Sequence, residues 1–401
     1  MEKILQINIT CGRGSTGKLA QALYEASMRE GYEASFAYSA YTPTLQEAFP
    51  IETKWQNYLR RGLNRFFGRK QCHSNPGTKR LIRYIKQEKP DLIHLHNVQQ
   101  NSVNYHMLFS FLQQENIPVV YTLHDCWAFT GGCFYFTKSN CSGYETGCTQ
   151  CPLVEHPDDV TRPAASSYEC KRNYIGGNDQ IFPICVSVWL RDCARASYMG
   201  KMAHIPETIY NGINTNVFCP QESDVRQKFG IPKNSFMILG VASFWNEDKG
   251  LFFFEELSKK IPDDAVIVLV GQGLECVNED KIICILSTEN QKQLAKLYST
   301  SDVFVNPSIQ ETFGLTTAEA LMCGTPAIVI NTTACPEIVD KETGFVVDYD
   351  VDSVLLAVQT VRIKGKSAFQ DQCVKRARTL FDEKRMVQEY MELYRRILHG
   401  E

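Results

Sequence analysis

Short apolar runs recur along the chain, each closed by a glycine or a polar turn and followed by a stretch of good helix formers. Residues 3–9, Asp91–Leu95, Val119–Leu123, Phe182–Ser187, Phe236–Ser243, Val266–Val270, Ile282–Ser287, Val303–Asn306 and Ala327–Ile330 are such runs. Strands this short and this apolar, alternating with helices, belong in parallel sheets covered on both faces. At 401 residues the chain exceeds what one ordinary core accommodates. Asn211-Gly212 marks a turn where one half hands over to the other. The pattern predicts an α/β protein of two doubly wound, Rossmann-like domains facing each other across a cleft. The first spans 1–208 and carries a cysteine-rich insertion at 126–156, the second spans 209–380, and a last helix at 381–401 returns to the first.

Composition narrows the function. A hydrophobic content of 44% with 22% charged residues is that of a soluble globular protein. The net charge of -3 exerts no global pull on nucleic acid or anionic lipid. No apolar run approaches the ~18 residues that a membrane span requires. The N-terminus enters a strand at once and shows no cleavable signal pattern, so a cytoplasmic location is expected.

Chemistry concentrates in Ser308–Pro326. A strand ends at Asn306-Pro307, a loop follows, and Thr316-Thr317 opens a helix that stops at Gly324 and Pro326. Glu311 falls in the loop and Glu319 in the helix. The backbone N–H groups of Phe313, Gly314, Leu315 and Thr316 are the unpaired donors of the helix start, a ready site for phosphate. Carboxylates on either side of an anion site suit a ligand with hydroxyls as well as phosphates, as a nucleotide sugar has. The plainer alternative is two exposed charges beside an ordinary helix cap.

Other stretches are open to several readings. Gly12-x4-Gly17-Lys18 is similar to a nucleoside-triphosphate loop, but Leu19 stands where a serine or threonine would hold magnesium. It reads better as a glycine loop whose backbone, at Gly14, Ser15 and Thr16, approaches a ligand at the end of the first strand. From Lys54 to Lys86 there are ten Lys or Arg and no Asp or Glu, interleaved with Trp55, Tyr58, Phe66 and Phe67. Such a segment lies on an anionic membrane surface or is a solvated basic helix. Residues 126–151 hold five cysteines among glycines. Cys148-Thr-Gln-Cys151 forms a knuckle that Cys133 and Cys141 would complete as a tetrahedral structural zinc site, with Cys126 or His156 as substitutes. Buried free thiols or a redox pair are the alternatives. His124 stands at the carboxyl end of a strand, a functional position, whereas His96 reads as structural.

Glu311-x7-Glu319 with Phe313-Gly-Leu and Gly324-Thr-Pro326 resembles the signature of the retaining family 4 glycosyltransferases of the GT-B fold. Pro90-Asp-Leu-Ile-His94, Val119–Asp125 and the phrase from Ile205 to Pro220 carry the resemblance across nearly the whole chain. The cysteine-rich insertion is similar to that of sugar transferases of colanic acid and capsule synthesis. The resemblance implies transfer from a nucleoside diphosphate (NDP) sugar to a hydroxyl of a polysaccharide or lipid-linked oligosaccharide, without a catalytic metal, at the inner face of the membrane. It implies an acceptor-side first domain and a nucleotide-sugar-binding second one. Lys249 is then at the donor diphosphate, Glu319 at the ribose, Glu311 at the sugar hydroxyls, and His124 beside the donor sugar. Phe313 to Thr316, with the loop at Gly14, Ser15 and Thr16, face the phosphates. One departure stands out: most relatives place an arginine about five residues before Lys249, where this chain has Phe244-Trp245, leaving Arg13 or Lys18 to supply the charge. The competing readings are a nucleotide-sugar epimerase or hydrolase on the same scaffold, and an NTP- or nucleic-acid-binding protein with a zinc site. Leu19 and the overall charge weigh against the last.

Overall fold

The computed structural model describes residues 1–40, 43–53, 55, 75–99, 103–152, 164–275, 277 and 280–400. The chain divides into two compact units, Met1–Ile209 with Val387–Glu401, and Tyr210–Met386.

The first unit is built on seven parallel strands: β1 (Lys3–Asn8), β2 (Glu33–Tyr38), β3 (Phe49–Pro50), β4 (Leu92–Leu95), β5 (Val119–Leu123), β6 (Ile181–Cys185) and β7 (Glu207–Thr208). Their order is β3-β2-β1-β4-β5-β6-β7. The chain starts in the middle, winds outward to β3, then crosses back to β4 and winds the other way. The switch of direction therefore falls between β1 and β4, and their carboxyl ends open the crevice where such sheets bind ligands. Ile4, Leu5 and Ile7 of β1 and Leu92, Ile93 and Leu95 of β4 are buried, as central strands require. The same strands also bury the polar side chains of Gln6, Asn8 and His94, joined by His96 just beyond β4 and by Thr122 of β5. Gln6 pairs in register with His94, and His94 with Val120, so alternate positions put these polar groups on one face of the sheet. That face is covered by the C-terminal helix, Glu383–His399, through Tyr390 and Tyr394.

The second unit repeats the plan with β8 (Phe236–Phe244), β9 (Ala265–Gln272), β10 (Ile282–Ile285), β11 (Val303–Asn306), β12 (Ala327–Ile330) and β13 (Gly344–Val347), in the order β10-β9-β8-β11-β12-β13. All pairings are parallel. Here the switch lies between β8 and β11. The loops that leave these two strands carry Lys249 and Glu311, so topology alone makes them neighbours. Among the described residues no helix is long and apolar enough to cross a membrane.

Candidate active site

After β8 the chain makes a single turn of 3-10 helix, Glu247–Lys249, whose start is capped by the Asn246 side chain accepting from the Lys249 N–H. Gly250 then takes a φ of 73°, and a side chain there would meet Pro307 at 2.7 Å. Only glycine lets this turn lie against the loop after β11. The two segments are joined: Ile309 donates its N–H to the Asp248 carbonyl at 3.0 Å, and the Ser308 hydroxyl donates to the same oxygen at 3.2 Å. The Lys249 ammonium reaches Glu311 Oε1 at 2.6 Å and Ser308 Oγ at 3.4 Å. This ion pair is half-buried, with Glu311 the better shielded partner. The Glu311 backbone is held in turn, donating to Thr333 Oγ1 and accepting from the Ala334 N–H.

The loop passes through buried Phe313 to Gly314, whose φ of 104° starts the helix Leu315–Met322. No side chain caps this helix, and no acidic residue sits in its first turn. Its N-terminal amides, with the dipole behind them, keep the character of an anion site. The helix starts one residue earlier than the threonine pair suggested. Glu319 projects from its second turn and accepts from the Tyr298 hydroxyl at 3.1 Å. Burial, then the Glu319 carboxylate, pushes the Tyr298 phenol well up, so it remains a donor. Tyr298 was not legible as a site residue; only its place on the buried side of an amphipathic helix, Gln291–Thr300, just before the motif hinted at it. Trp245 is buried and donates to the Val270 carbonyl, whereas Phe244 is exposed at the end of β8, where the resemblance places an arginine.

In the first unit, the glycine loop follows β1. Gly12 and Gly14 have φ of 69° and 67°, the Gly12 N–H donates to the Gly17 carbonyl, and the helix Gly14–Arg29 opens without a side-chain cap. Gly14 and Ser15 are exposed and Thr16 half-buried at this helix start. His124 follows β5 and keeps an exposed edge. Its Nε2 lies 3.2 Å from Nδ1 of His96. Burial lowers its pKa to about 4. His94 and His96 are held well below the ordinary range by burial, then by the neighbouring imidazoles. All three are neutral at pH 7. His96 is thus structural in position yet touches His124, a contact that the sequence reading missed.

The zinc expectation is not supported. The thiols are neighbours, since Cys133 is raised to about 12 by burial and then by Cys151, Cys148 and Cys141. They range, however, from buried Cys133 to exposed Cys151. Among the described residues no group of three or more His, Cys, Asp or Glu side chains is placed to hold a metal ion. A different device holds the segment. Lys171 is fully buried, donates to the carbonyls of Trp127 and Thr130 at 2.8 and 3.1 Å, and lies 3.9 Å from the Trp127 ring centroid. The Tyr198 hydroxyl donates to the Ala128 carbonyl, and Phe136 stacks on Tyr144. A buried cation satisfied by carbonyls and an aromatic face pins the loop. His156 and most of the basic stretch, residues 54 and 56–74, lie outside the described residues.

Comparison with known proteins agrees with this architecture. A family model described as glycosyl transferases group 1 matches residues 235–362, and one described as glycosyltransferase family 4 matches residues 16–147. A putative colanic acid biosynthesis glycosyl transferase of Escherichia coli K12, WcaC, is 22% identical over 98% of this chain and 100% of its own length. The UDP-Gal:alpha-D-GlcNAc-diphosphoundecaprenol alpha-1,3-galactosyltransferase of Escherichia coli is 29% identical over 42% of this chain and 48% of its own. Among solved structures, sucrose-phosphate synthase from Thermosynechococcus elongatus superposes with a TM-score of 0.70 at 18% identity, over 100% of both chains. Anabaena HepE in complex with UDP-glucose does so with a TM-score of 0.67 at 17% identity, covering 98% of this chain and 99% of its own. With two parallel-sheet units, each carrying a matching family model, the chain belongs to the family 4 glycosyltransferases of the GT-B fold.

Proposed function

We propose that the protein is a retaining hexosyltransferase that moves a sugar from a nucleoside diphosphate sugar to a hydroxyl of a polysaccharide or lipid-linked oligosaccharide. The observation that carries the reading is the Lys249–Glu311 pair at the switch point of the second sheet, beside an uncapped helix start and within one loop and helix of Glu319. As the glycosidic bond stretches, negative charge grows on the diphosphate and positive charge on the sugar ring. The ammonium of Lys249 and the amides from Phe313 to Thr316 stabilise the first. Glu311, once Lys249 turns to phosphate, accepts hydroxyls of the sugar. Glu319, oriented by Tyr298, accepts from the ribose. His124 and the loop at Gly14, Ser15 and Thr16 take the roles that the family resemblance implies, at the transferred sugar and the phosphates. Retention requires the acceptor hydroxyl to arrive on the face that the diphosphate leaves, so that the departing phosphate takes its proton.

Support for the donor comes from the UDP-glucose complex of HepE, and for the acceptor from the diphosphoundecaprenol-linked substrate named for the galactosyltransferase. The basic stretch Lys54–Lys86 would draw the enzyme to an anionic membrane surface where such an acceptor resides. Glu319→Ala tests the site. Loss of hydrogen bonds to a charged group, about 1.5 to 3 kcal/mol, lowers donor use roughly tenfold to a hundredfold. Unchanged donor affinity in that variant overturns the assignment. Steady turnover of the nucleotide sugar by the native enzyme with no acceptor present favours the hydrolase or epimerase reading instead.

A further inference from the structure

The polar face beneath the C-terminal helix is one continuous chain of hydrogen bonds. Gln6 Nε2 donates to the Tyr394 hydroxyl oxygen at 3.1 Å. Tyr394 contacts His94 Nδ1 at 2.5 Å, His94 Nε2 contacts Thr122 Oγ1 at 2.7 Å, and Thr122 contacts the Tyr390 hydroxyl at 2.8 Å. From its other end Gln6 presents Oε1 to His96 Nε2 at 3.0 Å, and His96 Nδ1 meets His124 Nε2 at 3.2 Å. Gln6, His94 and Tyr394 are 0% exposed and His96 1%. No water competes for these groups, so each contact needs one donor and one acceptor.

An amide has a donor end and an acceptor end, and that asymmetry propagates. The Gln6 carbonyl oxygen only accepts, so His96 carries its proton on Nε2. A neutral His96 then has a lone pair on Nδ1, so His124 must donate from its own Nε2, and its Nδ1 is an acceptor. On the other arm, the Tyr394 hydroxyl receives the Gln6 amide proton and gives its own to His94 Nδ1, which leaves His94 protonated on Nε2 toward Thr122. With the Gln6 amide in this orientation, each of these contacts has one donor and one acceptor. Turning the Gln6 amide over would invert every proton in the chain and make Nδ1 of His124 a donor.

We propose that Gln6 and His96 are positioning residues that fix His124 as the Nε2–H tautomer, which makes its Nδ1 an acceptor, and that Tyr390 and Tyr394 of the C-terminal helix complete the lock. The partner of one imidazole nitrogen sets the state of the other, and a hydrogen bond lost because the His124 proton sits on the wrong nitrogen lowers the rate roughly twofold to tenfold. The inference rests on the proposed reaction for its kinetic consequence but not for its structural one.

The test uses the full chain labelled with 15N-histidine. Long-range proton–nitrogen spectra of the wild type at pH 7.5 are expected to show His124 and His96 protonated on Nε2 only. A wild type in which His124 is protonated on Nδ1, or on both nitrogens, overturns the proposal without need of any variant. In Gln6→Leu the His124 pattern is expected to become mixed, and kcat to fall roughly twofold to tenfold with donor KM within about twofold. His96→Asn, whose Oδ1 replaces the accepting Nδ1, is expected to keep the His124 tautomer and most of kcat. An unaltered His124 spectrum in Gln6→Leu refutes the lock even if Glu319→Ala behaves as a donor-site variant. The expected spectra in a protein that transfers no sugar uphold the lock and refute the reaction.

Discussion

Acidification should destabilise this protein well before its carboxylates titrate. His94, His96 and His124 stay neutral in the folded chain because burial opposes their charging. Unfolded, each takes a proton near its ordinary value of about 6.5. Below that pH the unfolded state therefore binds more protons than the folded one, and stability falls as pH falls. For His124, folded pKa about 4, the gap is roughly 2.5 units. Fully expressed, that is about 3.4 kcal/mol at ~1.36 kcal/mol per unit, and at pH 5.5 it has already reached about 1.4 kcal/mol. His124 keeps an exposed edge, so His94 and His96, both enclosed, add the firmer share in the same direction. Asp264, held below the usual carboxylate range by the Arg362 guanidinium, loses its contribution only below about pH 4, outside this window. The assay is urea denaturation followed by tryptophan fluorescence, at constant ionic strength, in steps from pH 7.5 to 5.5. The expected result is a loss of more than about 1.4 kcal/mol across that interval. A flat profile, or imidazole resonances of these three residues titrating near 6.5, would refute the reasoning, because either would mean that the folded chain accepts the protons.

Three further outcomes can be measured. Tyr298→Phe removes the hydroxyl that orients Glu319, and donor KM should rise about threefold to tenfold, corresponding to one hydrogen bond of about 0.5 to 1.5 kcal/mol; an unchanged KM would mean that Glu319 needs no such support. Lys249→Ala should lower kcat about a hundredfold by removing charge at the departing phosphate. It should change stability by less than about 2 kcal/mol, because the pair with Glu311 is only partly buried, its side chains 32% and 17% exposed; equal losses in both readouts would point to a structural lysine. Lys171→Met keeps the apolar stem but takes the ammonium donor from the Thr130 carbonyl and leaves the Trp127 carbonyl with Thr130 alone, and should cost about 2 kcal/mol in urea. A shift under about 0.5 kcal/mol there would show that the cysteine-rich segment is held by something else.

The alternation of apolar runs and helices made both sheets readable, because parallel strands leave so little choice of residue. The pairing of Lys249 with Glu311 was within reach as well: both loops leave strands that the sequence marks, and only strand order was needed to make them neighbours. Gln6 and His94 were hidden for the opposite reason. Two polar residues inside central strands look like local irregularities, and their meaning depends on Tyr390 and Tyr394, which arrive from nearly 300 or more residues away. In the cysteine segment the thiol spacing is visible in sequence, while the cation that pins the loop, Lys171, looks like any lysine on a short helix.

The discontinuity of the first unit bears on how the protein is made. Its sheet is synthesised within the first 209 residues, yet the helix that seats Tyr390 and Tyr394 against that sheet belongs to it only from Val387 onward. On the ribosome the second unit is contiguous and can finish as soon as it emerges. The first must wait, with Gln6, His94 and Thr122 hydrated, until the helix from Val387 onward has emerged. A fragment ending at residue 209 should therefore be soluble only when the missing helix is restored, by fusion or as an added peptide.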